Sequence, residues 1–408
     1  MGRYTVRDGM TADQGTFRYL PMEVVHYGPG YLARLGAEVD RLGARRAFVI
    51  TGRSIATRTD LVGRVADMLG PRFAGVFDGA RQHVPYASVQ GALDAARAAR
   101  ADLLISLGGG SPIDTARAVA LAIGEGIETM AELEALRARF EPPDRTTIPP
   151  TSGRAPPHVA VPTTLSAAEF ANAAAVTSER RRAKDLFIAD ELTPRSVILD
   201  PEAAVRTPIE LWAATGLRAL DHAIETVYSP RRGPVTDVLS LEAIRRLPPA
   251  LRAARRDPRD LAARAEGQIA AWLSYFGEMN LTLGLSHAIG HQLGPKHDLP
   301  HGVTSCIILP QVMRYLAPAI APRLALVAQA LDVDTRGHSA VEAAEAAAAA
   351  VERLVADLDL PSSLSQVGVT PAAFPDIASG VLEDLVVAGS PVPITEARQI
   401  IEILRMAA

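Results

Sequence analysis

The chain reads as an α/β N-terminal half built on an open, mostly parallel sheet, followed by an all-α C-terminal half, with the boundary at 205/206. Three observations carry this. Short apolar runs alternate with amphipathic helical segments as far as SVILD at 196–200, the rhythm of a parallel sheet with crossover helices. A glycine-rich turn, Gly108-Gly109-Gly110-Ser111, joins the apolar run LLISL to the helical run IDTARAVALAI. From Pro208 onward the pattern is helical, with no further strand.

Taken in order, MEVVHYG (22–28) is a short strand ended by Gly28, Pro29 and Gly30. A helix follows over 31–42, with Leu32, Leu35, Val39 and Leu42 at helical spacing. RRAFVITG is a buried parallel strand ending at Gly52. A helix near 59–69, a strand at 73–77 and a helix at 85–100 continue the alternation. Residues 125–157 interrupt it: a charged helical piece precedes EPPDRTTIPPTSGRAPP, which reads as a surface loop or lid edge. HVAVPTT then resumes the sheet.

Composition bounds the function. At 408 residues, 48% hydrophobic and 22% charged, the chain has the makeup of an ordinary globular protein with room for a sizeable core. A net charge of -4 gives no footprint for nucleic acid or a membrane surface. The single cysteine, Cys306, excludes an internal disulfide and sits in CIILP, the setting of a buried thiol. The N-terminal stretch lacks the apolar region of a secretory signal, and no uncharged apolar run has membrane-spanning length, so a cytoplasmic location is expected.

The chemistry concentrates in GLSHAIGHQLGPKHDLPHGVTSCIILP (284–310), which holds four of nine histidines. His287 and His291 stand four apart and share a helix face. Gly294 and Pro295 should end that helix, and a short loop then delivers His301 beside Gly302. Clustered imidazoles suit a divalent metal or proton transfer near neutral pH. Upstream, Arg218 and His222 in GLRALDHAIE share another helix face, and Arg218 with Asp221 makes an i,i+3 pair.

Successive glycines at 108–110 would let backbone N–H groups and a helix N-terminus approach a pyrophosphate, although a tight strand–helix turn needs glycine anyway. Ser111 could cap that helix or bond a phosphate, and Asp114 in its first turn favours the dipole. Thr163 and Thr164 end a second strand, so their hydroxyls should reach the same sheet edge, where ligands bind in such sheets.

The segments GGGSPIDTARAVA, VPTT, GLRALDHAIE, and LSHAIGHQLG followed by PHG resemble, taken together, the iron-containing (group III) alcohol dehydrogenase family. The resemblance implies an N-terminal dinucleotide-binding domain (1–205) and a helical catalytic domain (206–408), the architecture shared with dehydroquinate synthase. It also implies NAD(P)-dependent interconversion of alcohols and carbonyls in the cleft between them, and homodimers. The family's metal is held by one Asp and three His. The histidines match His222, His287 and His301, but the Asp position is Arg218, which has no lone pair to give and would repel a cation. No bound metal is therefore expected. The spacing from PTT to Glu169, the RQHVP segment and the C-terminal tail are similar to the maleylacetate reductase branch, while LPHG is the pattern of the metal-binding dehydrogenases.

These features lead to a metal-independent reductase of a carboxylate-bearing carbonyl, with Arg218 in the metal's electrostatic role. His291 or His287 would be the proton donor, with His222 and His301 beside them. The resemblance places His291 closest to the nicotinamide. The resemblance implies an Asp after this strand to bind the adenosine ribose; here the stretch has Gly52 and Arg53, which favours NADPH over NADH, the alternative being that Arg53 points to solvent and either cofactor binds. The competing readings are a metal-dependent alcohol dehydrogenase drawing on Asp221 or water, and a lyase or binding protein that has lost hydride chemistry.

Overall fold

The computed structural model describes residues 16–141, 145–181, 183–277 and 280–408. The first 15 residues, expected to carry no secretory signal, lie outside that set.

The first half alternates as expected: β1 (Val24–Tyr27), α1 (Leu35–Arg41), β2 (Ala47–Thr51), α2 (Arg53–Arg58), α3 (Leu61–Leu69), β3 (Phe73–Phe77), α4 (Tyr86–Ala98), β4 (Leu103–Gly108) and α5 (Gly110–Gly124). α6 (Met130–Ala135), β5 (Arg139–Glu141), β6 (Arg145–Thr147), β7 (His158–Pro162), β8 (Ala173–Ser178), β9 (Ala183–Ile188) and β10 (Ser196–Leu199) follow. Six strands form one sheet in the order β1-β10-β7-β4-β2-β3, every neighbouring pair parallel. β2 and β4 are buried along their whole length, which explains their unbroken apolar runs. The chain leaves β2 toward β3 on one side and returns to β4 on the other. The crevice beyond their carboxyl ends is the switch point at which such sheets bind ligands.

Among the described residues of 125–157, one helix and two strands stand where a charged helical piece and a loop were expected. Thr129 and Glu132 form a capping box that starts α6, and β5 and β6 pair as an antiparallel hairpin. β8 and β9 form a second hairpin.

The second half comprises α7 (Pro201–Ala204), α8 (Ile209–Tyr228), α9 (Pro234–Arg256), α10 (Leu261–Tyr275), α11 (Leu285–His297), α12 (His301–Ala330), α13 (Ala340–Asp357), α14 (Phe374–Leu382) and α15 (Ala397–Met406). Among the described residues no strand lies beyond β10. α8 is buried on nearly every face, sandwiched by α9, α10 and α12. α12 is long and apolar enough to cross a membrane by length and composition alone, but 72% of its apolar window is buried in the fold, as in a core helix.

One expectation about the histidine segment needs correction. α11 does not stop at Gly294-Pro295 but runs to His297, keeping Pro295 in its last turn at the cost of the bond an N–H there would make to the His291 carbonyl. Asp298, in left-handed conformation (φ 55°), ends it. A short loop, 298–300, then leads to His301, the first residue of α12. Gly302 follows because a Cβ there would collide with the Ala214 carbonyl of α8.

Candidate active site

A cleft of about 1760 Å³ is lined by residues of both halves. On the sheet side the turn after β4 and the end of β7 are locked together: Thr163 N–H donates to the Gly108 carbonyl at 2.8 Å. A Cβ on Gly109 would stand 3.0 Å from Thr164 Cγ2, so glycine lets the turn lie against the threonine. Gly52, Gly108, Gly109, Gly110, Ser111, Asp114, Thr163 and Thr164 all line the cleft. The Thr164 hydroxyl is buried without a partner, a polar group positioned for a ligand. The backbone cradle, the N-terminus of α5 and this hydroxyl fit the pyrophosphate of a dinucleotide.

Three details differ from the sequence expectation. Ser111 does not cap α5; Gly109 occupies the cap position and Ser111 lies one residue inside the helix. Asp114 lies beyond the first turn and pairs with buried Arg117 at 3.4 Å; burial pushes its carboxyl upward, against the Arg117 charge. Arg53 does not line the cleft: its side chain is 78% exposed and bonds Asp78 at 2.9 Å. Its place at the start of α2 aims it along the sheet toward the residue after β3. Arg58, at the end of α2, lines the cleft instead.

On the helical side, α8, α11 and α12 bring together Arg218, His222, His287, His291 and His301. The rings of His222 and His287 lie 4.9 Å apart, and those of His291 and His301 5.8 Å. Beneath them is a buried acid pair. Glu225 Oε2 accepts from His287 Nδ1 and from Gly284 N–H, both at 2.6 Å. Its Oε1 accepts from Ser286 N–H (2.8 Å) and the Tyr228 hydroxyl (3.0 Å). With four donors converging on it, Glu225 acts as an acceptor, so His287 carries its proton on Nδ1. Nε2 of His287, and Nδ1 of both His222 and His301, are left buried without a partner. Burial, helped by neighbouring positive charge that includes Arg218, holds all three imidazoles well below the ordinary histidine range.

Arg218 is 8% exposed. Its Nη1 donates to Ser305 Oγ at 3.2 Å and lies 3.7 Å from Asp221 Oδ2. The same Asp221 oxygen accepts from Ser305 Oγ (2.6 Å) and Ser286 Oγ (2.9 Å). Burial and the Glu225 charge push Asp221 up to about 8, against Arg218 and the two hydroxyls. The i,i+3 pair foreseen between residues 218 and 221 thus exists, inside the site rather than on the surface.

Several residues of the site carried little sequence signal. Glu225 falls one helical turn after His222, a spacing that could have pointed to it. Asp384, whose Oδ2 takes His291 Nδ1 at 2.9 Å, is 93 residues away from it in sequence. Lys184 reaches the cleft from β9, and burial pushes its amine down to about 8. His83 packs edge-on against His301 at 6.2 Å, with Nε2 3.3 Å from Asp298. Cys306 lies outside the cleft lining; it is a buried thiol donating to the Gly302 carbonyl.

A sheet-edge glycine cradle facing a polar, histidine-rich helical wall defines an oxidoreductase cleft of the dinucleotide-binding type. Comparison with known proteins identifies the group. Residues 22–201 match the iron-containing alcohol dehydrogenase model, and residues 212–408 the C-terminal model of the Fe-containing alcohol dehydrogenase family. The chain belongs to this family. It is 33% identical over 376 residues to 1,3-propanediol dehydrogenase of Citrobacter freundii, covering 90% of this chain and 93% of that one. It is 36% identical over 326 residues to maleylacetate reductase 2 of Cupriavidus pinatubonensis, covering 79% and 80%. The solved structure of a 1,3-propanediol oxidoreductase superposes with a TM-score of 0.87 at 30% identity, covering 97% of this chain and all of the other.

Proposed function

We propose that the protein is a metal-independent, NAD(P)H-dependent reductase of a small, carboxylate-bearing carbonyl compound, in which Arg218 does the electrostatic work given to a metal elsewhere in the family. The observation that carries this reading is a buried guanidinium at the family's aspartate position, within charge range of all three imidazoles. The donor set does not fit a catalytic cation. Arg218 repels one, and among the described residues His222, His287 and His301 do not form a group with ligand atoms within 4.8 Å of one another.

Asp221, Glu225 and His287 do form such a group, which is the specific support for the metal-dependent reading. Against it, the Glu225 oxygens and His287 Nδ1 are spent on internal hydrogen bonds, and Asp221 Oδ2 is engaged by the Ser305 and Ser286 hydroxyls.

In the reductase reading, Gly52, Gly108–Gly110, Ser111, Thr163 and Thr164 hold the dinucleotide, which supplies hydride when bound. NADPH is preferred over NADH, since no carboxylate stands at Gly52 to repel a 2′-phosphate and Arg58 lines that end of the cleft. Arg218 stabilises the oxyanion as the carbonyl is reduced or, through its planar fork, clamps the substrate carboxylate. His291 delivers the proton, with Asp384 steadying the imidazolium as the acid of a His–Asp pair does. His287, protonated on Nδ1, presents an acceptor to the cleft and orients the substrate. The division at 205/206, a homodimer and a cytoplasmic location complete the reading. Metal analysis of purified protein with fluorescence titration of NADPH and NADH tests it: stoichiometric iron or zinc would overturn the metal-free mechanism, and failure to bind either nucleotide would favour a non-redox role.

A further inference from the structure

β5 and β6 stand outside the six-stranded sheet, and Phe140 and Thr146 on them line the cleft. The base of this hairpin is tied to β9 by the Ala138 N–H donating to the Leu186 carbonyl at 2.7 Å. β5 also lies against the helical turn Leu385–Gly389 of the C-terminal half. That turn begins at Asp384, whose Oδ1 caps it through Val386 N–H while Oδ2 holds His291. β5 therefore touches both halves, against the turn whose capping residue, Asp384, holds His291. Phe140 of β5 and Ile148, the residue after β6, line the cleft together with Leu186 and Ile188 of β9 and with Val386 and Val387. Ile148 is 46% exposed, a solvated apolar side chain at the cleft wall. Phe140 packs on its other side against the helical core, which fixes the wall in place.

An apolar wall continuous with a polar reaction centre is how a site reads the hydrocarbon part of a substrate whose oxygens are bound elsewhere. We propose that Phe140, Ile148, Val386 and Val387 form a subsite for an uncharged hydrocarbon group of several carbons. The substrate is then a carbonyl compound with its oxygens toward Arg218 and an alkyl or aryl group under the hairpin. This inference rests on the carbonyl-reductase reading of the cleft.

The test is a chain-length series, 2-oxo acids and straight-chain aldehydes of three to eight carbons, reduced with NADPH by the full-length protein. Each methylene buried on the wall should raise kcat/KM roughly fourfold. Phe140→Ala and, separately, Ile148→Ser should each lower the eight-carbon to three-carbon ratio by about tenfold, mainly through KM of the long substrates. Ile148 is too exposed for its replacement to threaten folding. In parallel, octanoate and propanoate are titrated calorimetrically into the NADPH-loaded protein. Turnover without chain-length dependence, or dependence untouched by both variants, overturns the subsite and leaves the reductase reading intact. No turnover of any carbonyl, with octanoate still bound more tightly than propanoate in an Ile148-dependent way, overturns the reductase reading and upholds the subsite.

Discussion

Replacing Arg218 with alanine separates the electrostatic role from a purely structural one. The guanidinium faces Asp221 at 3.7 Å, where unit charges interact by about 4 kcal/mol at an effective dielectric of 20. Removing one member of a buried ion pair costs about 3–5 kcal/mol when the other stays charged. Here Asp221 can take up a proton, its pKa already standing at about 8, so the stability loss should fall below that range and the variant should fold. The catalytic loss should be larger. Withdrawing a fixed donor from a developing oxyanion costs about 2.7–4 kcal/mol, on the order of 10²–10³ in kcat. Arg218→Lys should recover part of it, since a point charge remains but the planar fork is gone. The assay is steady-state reduction with NADPH in chelator-containing buffer, alongside a thermal melt and a nucleotide titration that should both change little. A variant within tenfold of the parent kcat would refute the assigned role. So would a parent enzyme that loses activity to the chelator and regains it with iron or zinc.

Asp384→Asn should lower kcat on the order of 10²-fold, because asparagine keeps the cap on Leu385–Gly389 but cannot stabilise the His291 imidazolium; a rate within threefold would detach Asp384 from the chemistry. Gly109→Ala, whose new methyl would press on Thr164 at 3.0 Å, should weaken nucleotide binding at least ~10-fold with little change in melting temperature, read by fluorescence titration. Glu38 offers a stability test remote from the site. Burial raises its pKa, but Arg41, Ser196 and His26 together outweigh that and bring it from 4.5 down to about 2. A carboxyl depressed in the folded state stabilises above its unfolded pKa and loses that contribution as pH falls from 4.5 toward 2. Glu38→Gln should therefore cost up to about 3 kcal/mol at pH 7 and flatten the acid limb of the stability curve, measured by denaturant titration at several pH values.

What could be read from the sequence was whatever depends on local periodicity. The unbroken apolar runs of β2 and β4, the glycine turn opening α5, and the i,i+4 spacing of His287 and His291 each declare their own conformation within a few residues. That Arg218 stands where the family resemblance expects an aspartate was equally legible, since it concerns residue type at one place in a motif. What the sequence did not show were partners. Nothing near His291 announces Asp384, nothing in β9 announces that Lys184 faces the cleft, and the strands 139–141 and 145–147 read as the end of a helical piece and a loop, because three-residue strands have no period to detect. Whether Arg53 faces the cleft or solvent was open for the same reason, as its direction depends on Asp78 after the next strand. The residue types, and so the kinds of chemistry available, follow from the sequence alone. Which acid holds which histidine, and which charges are buried together, was decided by the packing of α8, α11 and α12 against the sheet edge, because hydrogen bonds and desolvation act between side chains that only the tertiary fold makes neighbours.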